Sequence, residues 1–166
     1  MPRRLAPAGS PDGATPATPG AADATVTTDF LQSLLGYHAR RASLSIVGVF
    51  LDRMAPFGLR PVDFSVLSVI AENPGVTSRQ ICSALDILPP NLVGIIRSLH
   101  ERQLVLRKPH PDDGRAQGLH LSAAGQRLYR DACAVATQLE DHASRGLTAA
   151  QQRTLITLLR KVYERA

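Results

Sequence analysis

The sequence predicts a mainly helical α+β domain, and three observations carry that expectation. Apolar residues recur every three and four positions through most of the chain. The periodic segments are separated by Pro, Gly and Asn breaks, and several restart at Ser or Thr. One stretch, 104–121, instead pairs two short strand-like runs around a turn-rich middle.

The elements follow in order. Residues 1–22 hold Pro at 2, 7, 11, 16 and 19 and Gly at 9, 13 and 20, so they read as a disordered tail. The ordered domain is expected over 23–166. A long helix is predicted from Thr28 to about Arg53, with Phe30, Leu31, Leu34, Leu35, His38, Ala42, Ser45, Ile46, Val49 and Phe50 on its stripe. Pro56 and Gly58 end it. A second helix runs from Pro61 to Glu72, burying Phe64, Val66, Leu67, Val69 and Ile70, and Asn73-Pro74-Gly75 stops it. A short helix from Thr77 or Ser78 to Leu85 follows, with Ile81, Cys82 and Leu85 inward. Asp86-Ile87-Leu88 is a tight link. The next helix begins at Pro89 or Pro90 and reaches about Arg102, with Leu92, Ile95, Ile96 and Leu99 as its stripe. The hairpin pairs 104–108 with 116–121. Ser122 caps a helix to about Ser144, and Thr148 starts the last one, with Leu155, Ile156, Leu158, Leu159 and Val162 apolar.

Composition excludes several functions. Hydrophobic residues make up 44% of the 166, enough for a core, while aromatics are only 4%, so Leu, Ile, Val and Ala must build it. No apolar run approaches the roughly 20 residues of a bilayer span. Arg3 and Arg4 precede no hydrophobic stretch, so no secretory leader and no membrane association are expected. Two cysteines, Cys82 and Cys133, are too few for a disulfide scaffold and suit a reducing cytoplasm. No phosphate-binding Gly loop, zinc-hydrolase helix or nucleophile elbow occurs, so an enzyme is not expected, and neither is a cofactor or metal. The net charge of +5 leans toward polyanionic partners.

Two consecutive short helices with a tight link are the geometry of a helix-turn-helix, and the hairpin after them is a wing. The wing reads Pro111-Asp112-Asp113-Gly114-Arg115, then Leu119-His120-Leu121-Ser122-Ala123-Ala124-Gly125. This resembles the MarR family of winged helix-turn-helix bacterial transcription regulators, whose wing runs Pro-x-Asp-Arg-Arg and then Leu-Thr-x-x-Gly. The resemblance covers about 30–145. Gly114 stands at the first Arg position, Ser122 at the usual Thr, and Gln103 where Gly is frequent. Pro89 and Pro90 replace small polar residues, and Gly94 replaces a long polar one.

The resemblance implies a winged helix over about 61–121, with dimerisation helices at about 28–53 and 123–165. The partners it implies are a second copy of the chain and a palindromic DNA operator. Base reading falls to Asn91, with apolar contact from Pro90 or Val93 to a thymine methyl. Ser78, Arg79, Gln80 and Arg97 are placed for phosphates, though Arg79 and Arg97 read equally as solvated charges. Arg115 suits the minor groove, Lys108 and His110 add phosphate contacts, and Asp113 holds Arg115 in place.

The family also implies an effector pocket between the dimerisation helices and the reading lobe. Many members sense small phenolic or aromatic carboxylic acids. His38, Arg41 and Ser45 offer the polar side of such a pocket, with Phe57, Phe64 and Leu67 the apolar side; His38 taken singly reads rather as an interface histidine with a backbone partner. The expected function is a repressor of aromatic or N-heteroaromatic acid catabolism, or of an efflux or stress operon, released by a small aromatic or heteroaromatic carboxylate. Two alternatives stand beside it: an architectural duplex-binding protein without effector response, and a regulator that senses redox state through cysteine. The reactive cysteine of peroxide-sensing relatives, near the start of the first helix, is absent, and Cys82 reads as core.

Overall fold

The computed structural model describes residues 26–109 and 117–164. The Pro/Gly-rich segment 1–22 and the wing-tip residues His110, Asp113 and Arg115 lie outside the described residues.

The order is α1 (Asp29–Gln32), α2 (Leu35–Met54), a 3-10 turn (Ala55–Phe57), α3 (Pro61–Glu72), β1 (Val76–Thr77), α4 (Ser78–Leu85), α5 (Pro89–Glu101), β2 (Val105–Pro109), β3 (Gln117–Leu121), α6 (Ala123–Ala143) and α7 (Ala149–Tyr163). The expected first helix is in fact two. Leu34 is extended (φ −99°, ψ 125°), and the Ser33 hydroxyl donates to the Phe30 carbonyl at 2.7 Å, closing α1 on itself. Thr28 occupies the cap position, but its hydroxyl accepts from the Gln32 side chain at 2.8 Å instead of from the helix backbone.

Side-chain caps set the other boundaries. Thr77, Ser122 and Thr148 accept from the backbone N–H of Gln80, Gly125 and Gln151, each satisfying an orphan donor of a first turn. Helix α3 is started by Asp63, which accepts from the Arg60 backbone at 3.0 Å and from its guanidinium at 2.9 and 3.0 Å.

The sheet has the order β1-β3-β2 and is antiparallel throughout. Val105 pairs with Leu121 and Lys108 with Gly118; on the other edge Thr77 pairs with Gly118. The two-residue β1 was not expected, because its partner lies some forty positions away. Gly118 is required here: a Cβ at this position would come within 2.8 Å of the Gly75 carbonyl oxygen.

The core lies in the middle of the chain. Val66, Leu67 and Ile70 of α3 meet Ile81 of α4, Leu92, Ile96 and Leu99 of α5, and Val105 and Leu119 of the sheet, all at most 1% exposed. Each such side chain contributes about 1.5–3 kcal/mol by leaving water. Met54 and Ala132 carry the core to α2 and α6. Cys82 and Leu85 sit half-buried at its edge, while Ile81 takes the inward position of α4.

Helix α7 behaves differently. None of its residues is buried, and Leu155, Ile156, Leu158, Leu159 and Val162 are between 42% and 61% exposed. On α1 and α2, Phe30, Leu31, Leu35, Leu44, Ile46 and Leu51 are exposed as well. Among the described residues no single helix is long and apolar enough to cross a membrane; α2 with the following turn and α3 are so only jointly, and they meet at 66°.

Candidate nucleic-acid interface and effector cavity

Helices α4 and α5 are joined by Asp86, Ile87 and Leu88. Asp86 is left-handed (φ 50°), which turns the chain sharply after α4. Pro89 and Pro90 fill the first turn of α5, where their missing N–H groups break no helix bond. Because Leu92, Ile95, Ile96 and Leu99 point inward, Pro90, Asn91, Val93, Gly94 and Arg97 form the outward face.

The predicted DNA-facing residues divide on this geometry. Ser78 and Arg79 are exposed in the first turn of α4, and Asn91 is exposed in the first turn of α5. Val93 is 62% exposed, an apolar group left uncovered by the described residues. Gln80 is exposed too, but its side-chain oxygen accepts from the Thr77 backbone at 2.8 Å, so it serves the helix cap. Arg97 donates to Glu101 at 2.8 Å, which neutralises its charge locally. Lys108 is exposed on β2 beside Arg107. His110, Arg115 and the supporting Asp113 are not among the described residues.

Two features escaped sequence reading. Arg102 donates from Nη2 to the Phe57 carbonyl at 2.6 Å and from Nη1 to the Gly58 carbonyl at 2.9 Å, fastening the end of α5 to the link between α2 and α3. Burial pushes the Asp63 carboxyl up, but hydrogen bonds from the Arg60 side chain and backbone, with the charges of Arg60 and Arg102, outweigh it and hold the carboxyl below the usual carboxylate range. Only the Asp63 spacing from Pro61 was a usable signal.

The predicted effector residues do not converge. His38 is exposed on α2, its Nε2 within 2.8 Å of the Gln32 carbonyl and its ring edge-on to Tyr37. Arg41 and Ser45 are exposed on the same helix. Phe57 packs on the core from the 3-10 turn. Leu67 is 0% exposed, sealed inside the core by its place on α3's inner face. Phe64 reaches an opening: a cavity of about 210 Å³ bounded by Ile46, Val49 and Phe50 of α2, Phe64 of α3, and Ala136 and Leu139 of α6. Phe64 stands between Phe50 and Tyr129, each ring centre 5.9 Å away. A cavity of roughly 150 Å³ holds a benzene ring, so this one admits a single aromatic ring. Glu140 lies at its margin. Across Leu139 lies a second hollow of about 140 Å³, where Arg53, His142 and Arg145 gather with Asp141. Among the described residues no group of His, Cys, Asp or Glu is placed to hold a metal ion, and His38, His120 and His142 do not meet.

A helix-turn-helix followed by the β2–β3 hairpin, which joins β1 in one three-stranded sheet, with long helices at both ends, defines a winged-helix DNA-binding regulator. The MarR family model matches residues 57–116. A transcriptional regulatory protein for the hcr operon of Thauera aromatica is 34% identical over 131 residues, covering 78% of each chain. The structure of the transcriptional repressor CouR bound to a 23-mer DNA duplex superposes with a TM-score of 0.78 at 33% identity, covering 83% of this chain and 98% of that one. CouR bound to p-coumaroyl-CoA gives 0.78 at 31% identity, covering 86% and 100%. The chain belongs to the MarR family of winged helix-turn-helix transcription regulators, and it is not an enzyme.

Proposed function

We propose that this chain is a homodimeric, sequence-specific repressor that binds a palindromic operator and is released by an aromatic effector. The observation that carries the effector reading is the placement of the 210 Å³ cavity. Its walls are α2 and α6 on one side and α3, the first helix of the reading lobe, on the other. A ring seated there bears on the joint between the two halves. It favours whichever head spacing accommodates it, and that preference is a coupling free energy between two sites.

The apolar faces of α1, α2 and α7 support the dimer, since a lone chain leaves them in water. A two-fold dimer sets two α5 helices against half-sites about 34–36 Å apart. Ser78, Arg79 and Lys108 supply phosphate contacts, Asn91 reads a base edge, and Arg115, held by Asp113, enters the minor groove beside His110.

Two classes of aromatic effector suit this cavity. A hydroxylated benzoate or pyridine carboxylate fits the cavity by size. A thioester of an aromatic acid with coenzyme A is the second reading, favoured by a specific observation: Glu140 at the cavity margin opposes a free carboxylate, while Arg53, His142 and Arg145 beyond Leu139 suit a phosphorylated tail. The relative CouR has been seen with p-coumaroyl-CoA.

Fluorescence anisotropy tests this. The full chain is bound to the intergenic duplex beside its own gene, then titrated with benzoate, hydroxybenzoates, pyridine carboxylates, p-coumarate and p-coumaroyl-CoA. Release by one class, with affinity falling about 5–150-fold, is the expected result. No release by any of them overturns the effector reading.

A further inference from the structure

We propose that Gly94 determines specificity: its missing side chain lets α5 seat closely enough on a duplex for Pro90 and Val93 to reach thymine methyl groups. The inference rests on the DNA-binding reading above.

Gly94 is exposed in the interior of α5, on the face shared with Pro90, Asn91, Val93 and Arg97. Glycine at such a place costs a helix about 0.5–1 kcal/mol relative to alanine. Helix α5 already begins with two prolines and no side-chain cap. Nothing among the described residues requires this glycine. Its φ is not left-handed, and a Cβ built on it meets no atom within 4 Å. Gly118, by contrast, is pressed against the Gly75 carbonyl. Gly36 and Gly48 have equally open surroundings, but both lie on α2, outside the reading lobe.

The space left at Gly94 is part of a concave surface. A hollow of about 750 Å³ runs along the first half of α5, lined by Val62, Ile87, Leu88, Pro90, Asn91 and Gly94 among others. Any longer side chain at 94 projects from its floor. The chemistry on the same face is sparse. Arg97 is occupied by Glu101, which leaves the Asn91 amide and the apolar groups of Pro90 and Val93. Apolar groups of this kind read the C5-methyl of thymine, and they do so only at van der Waals distance. A helix that reads through short side chains must approach the base edges more closely than one reading through long polar ones. Glycine in the middle of the face permits that approach.

The test compares the wild-type chain with Gly94→Ala on the intergenic duplex, and repeats both with each thymine of the half-site replaced in turn by deoxyuridine. Alanine is the better helix former, so thermal unfolding should rise by about 2–4 °C. A fall in affinity then cannot come from loss of fold. The expected result is that Gly94→Ala binds at least about tenfold more weakly. One or two deoxyuridines should weaken the wild type about fivefold and leave Gly94→Ala unchanged. Equal affinity of the two proteins, or equal sensitivity to deoxyuridine, overturns the proposal while leaving the repressor reading intact. A wild type that binds the intergenic and random duplexes equally overturns both.

Discussion

Arg102 reaches across from the end of α5 to the carbonyl oxygen of Phe57, 2.6 Å from its Nη2. The contact joins residues 45 positions apart and fastens the outward-reading helix to the turn that ends α2. A shift of α2 against α3, where the aromatic cavity lies, therefore bears on α5 through a hydrogen-bonded link as well as through the core.

Replacing Arg102 with Ala removes this bond and its companion to Gly58. Because Arg102 is exposed, water replaces part of what is lost, and the expected cost is about 1–2 kcal/mol. Urea unfolding measures it. Arg102→Lys should recover less than half, since a single ammonium does not reproduce the guanidinium fork.

Asp63 gives the protein an acid limb. Its folded-state carboxyl is held below its unfolded value of about 3.9. The stabilisation is therefore complete above that value and disappears as pH falls through the lower folded one. Asp63→Asn should be about 1–3 kcal/mol less stable than wild type at pH 7. The gap should close as pH falls below about 4. Urea midpoints followed from neutral to strongly acidic pH check this, and a gap constant with pH would contradict it.

Arg97 and Arg115 should differ in their weight on DNA. Glu101 already engages Arg97, so Arg97→Ala is expected to weaken operator binding less than about threefold. Arg115 is the residue proposed for the minor groove, and Arg115→Ala is expected to weaken binding tenfold or more, at roughly 1–3 kcal/mol. It should also lower the slope of log affinity against log salt by about 1. Binding isotherms at several salt concentrations separate the two.

The α7 stripe gives the assembly prediction. Leu155 and Leu159 lie one turn apart and are exposed in the single chain, so glutamate at both leaves the protomer core untouched. The double variant should sediment as a monomer with an unchanged circular dichroism spectrum, where the wild type sediments as a dimer. A variant that stays dimeric would place the interface elsewhere.

Much of the fold could be read from local signals. Pro61 and Asn73 bracket α3, and Thr77, Ser122 and Thr148 announce the helices they cap, because capping is decided within three residues. Other features depend on contacts distant in sequence. The break at Ser33 interrupts an apolar run that continues on both sides, and it follows from a side-chain bond to Phe30. Strand β1 exists only because β3 folds back beside it. Gln103 adopts φ 58°, which accounts structurally for the frequency of glycine at this place in the family. The cavity draws Ala136 and Leu139 from α6, whose pattern alone marks them as ordinary core, and its lining does not include His38, Arg41 or Ser45, which are exposed on α2.

The central claim is that this chain selects a particular DNA sequence. Its most direct test is the ratio of Kd for the intergenic duplex to Kd for a scrambled duplex of equal length, measured on the full chain at about 0.15 M salt, where non-specific phosphate attraction is screened. The intergenic duplex is expected to bind at least about 10³-fold more tightly. A ratio near one would contradict it and identify an architectural DNA-binding protein.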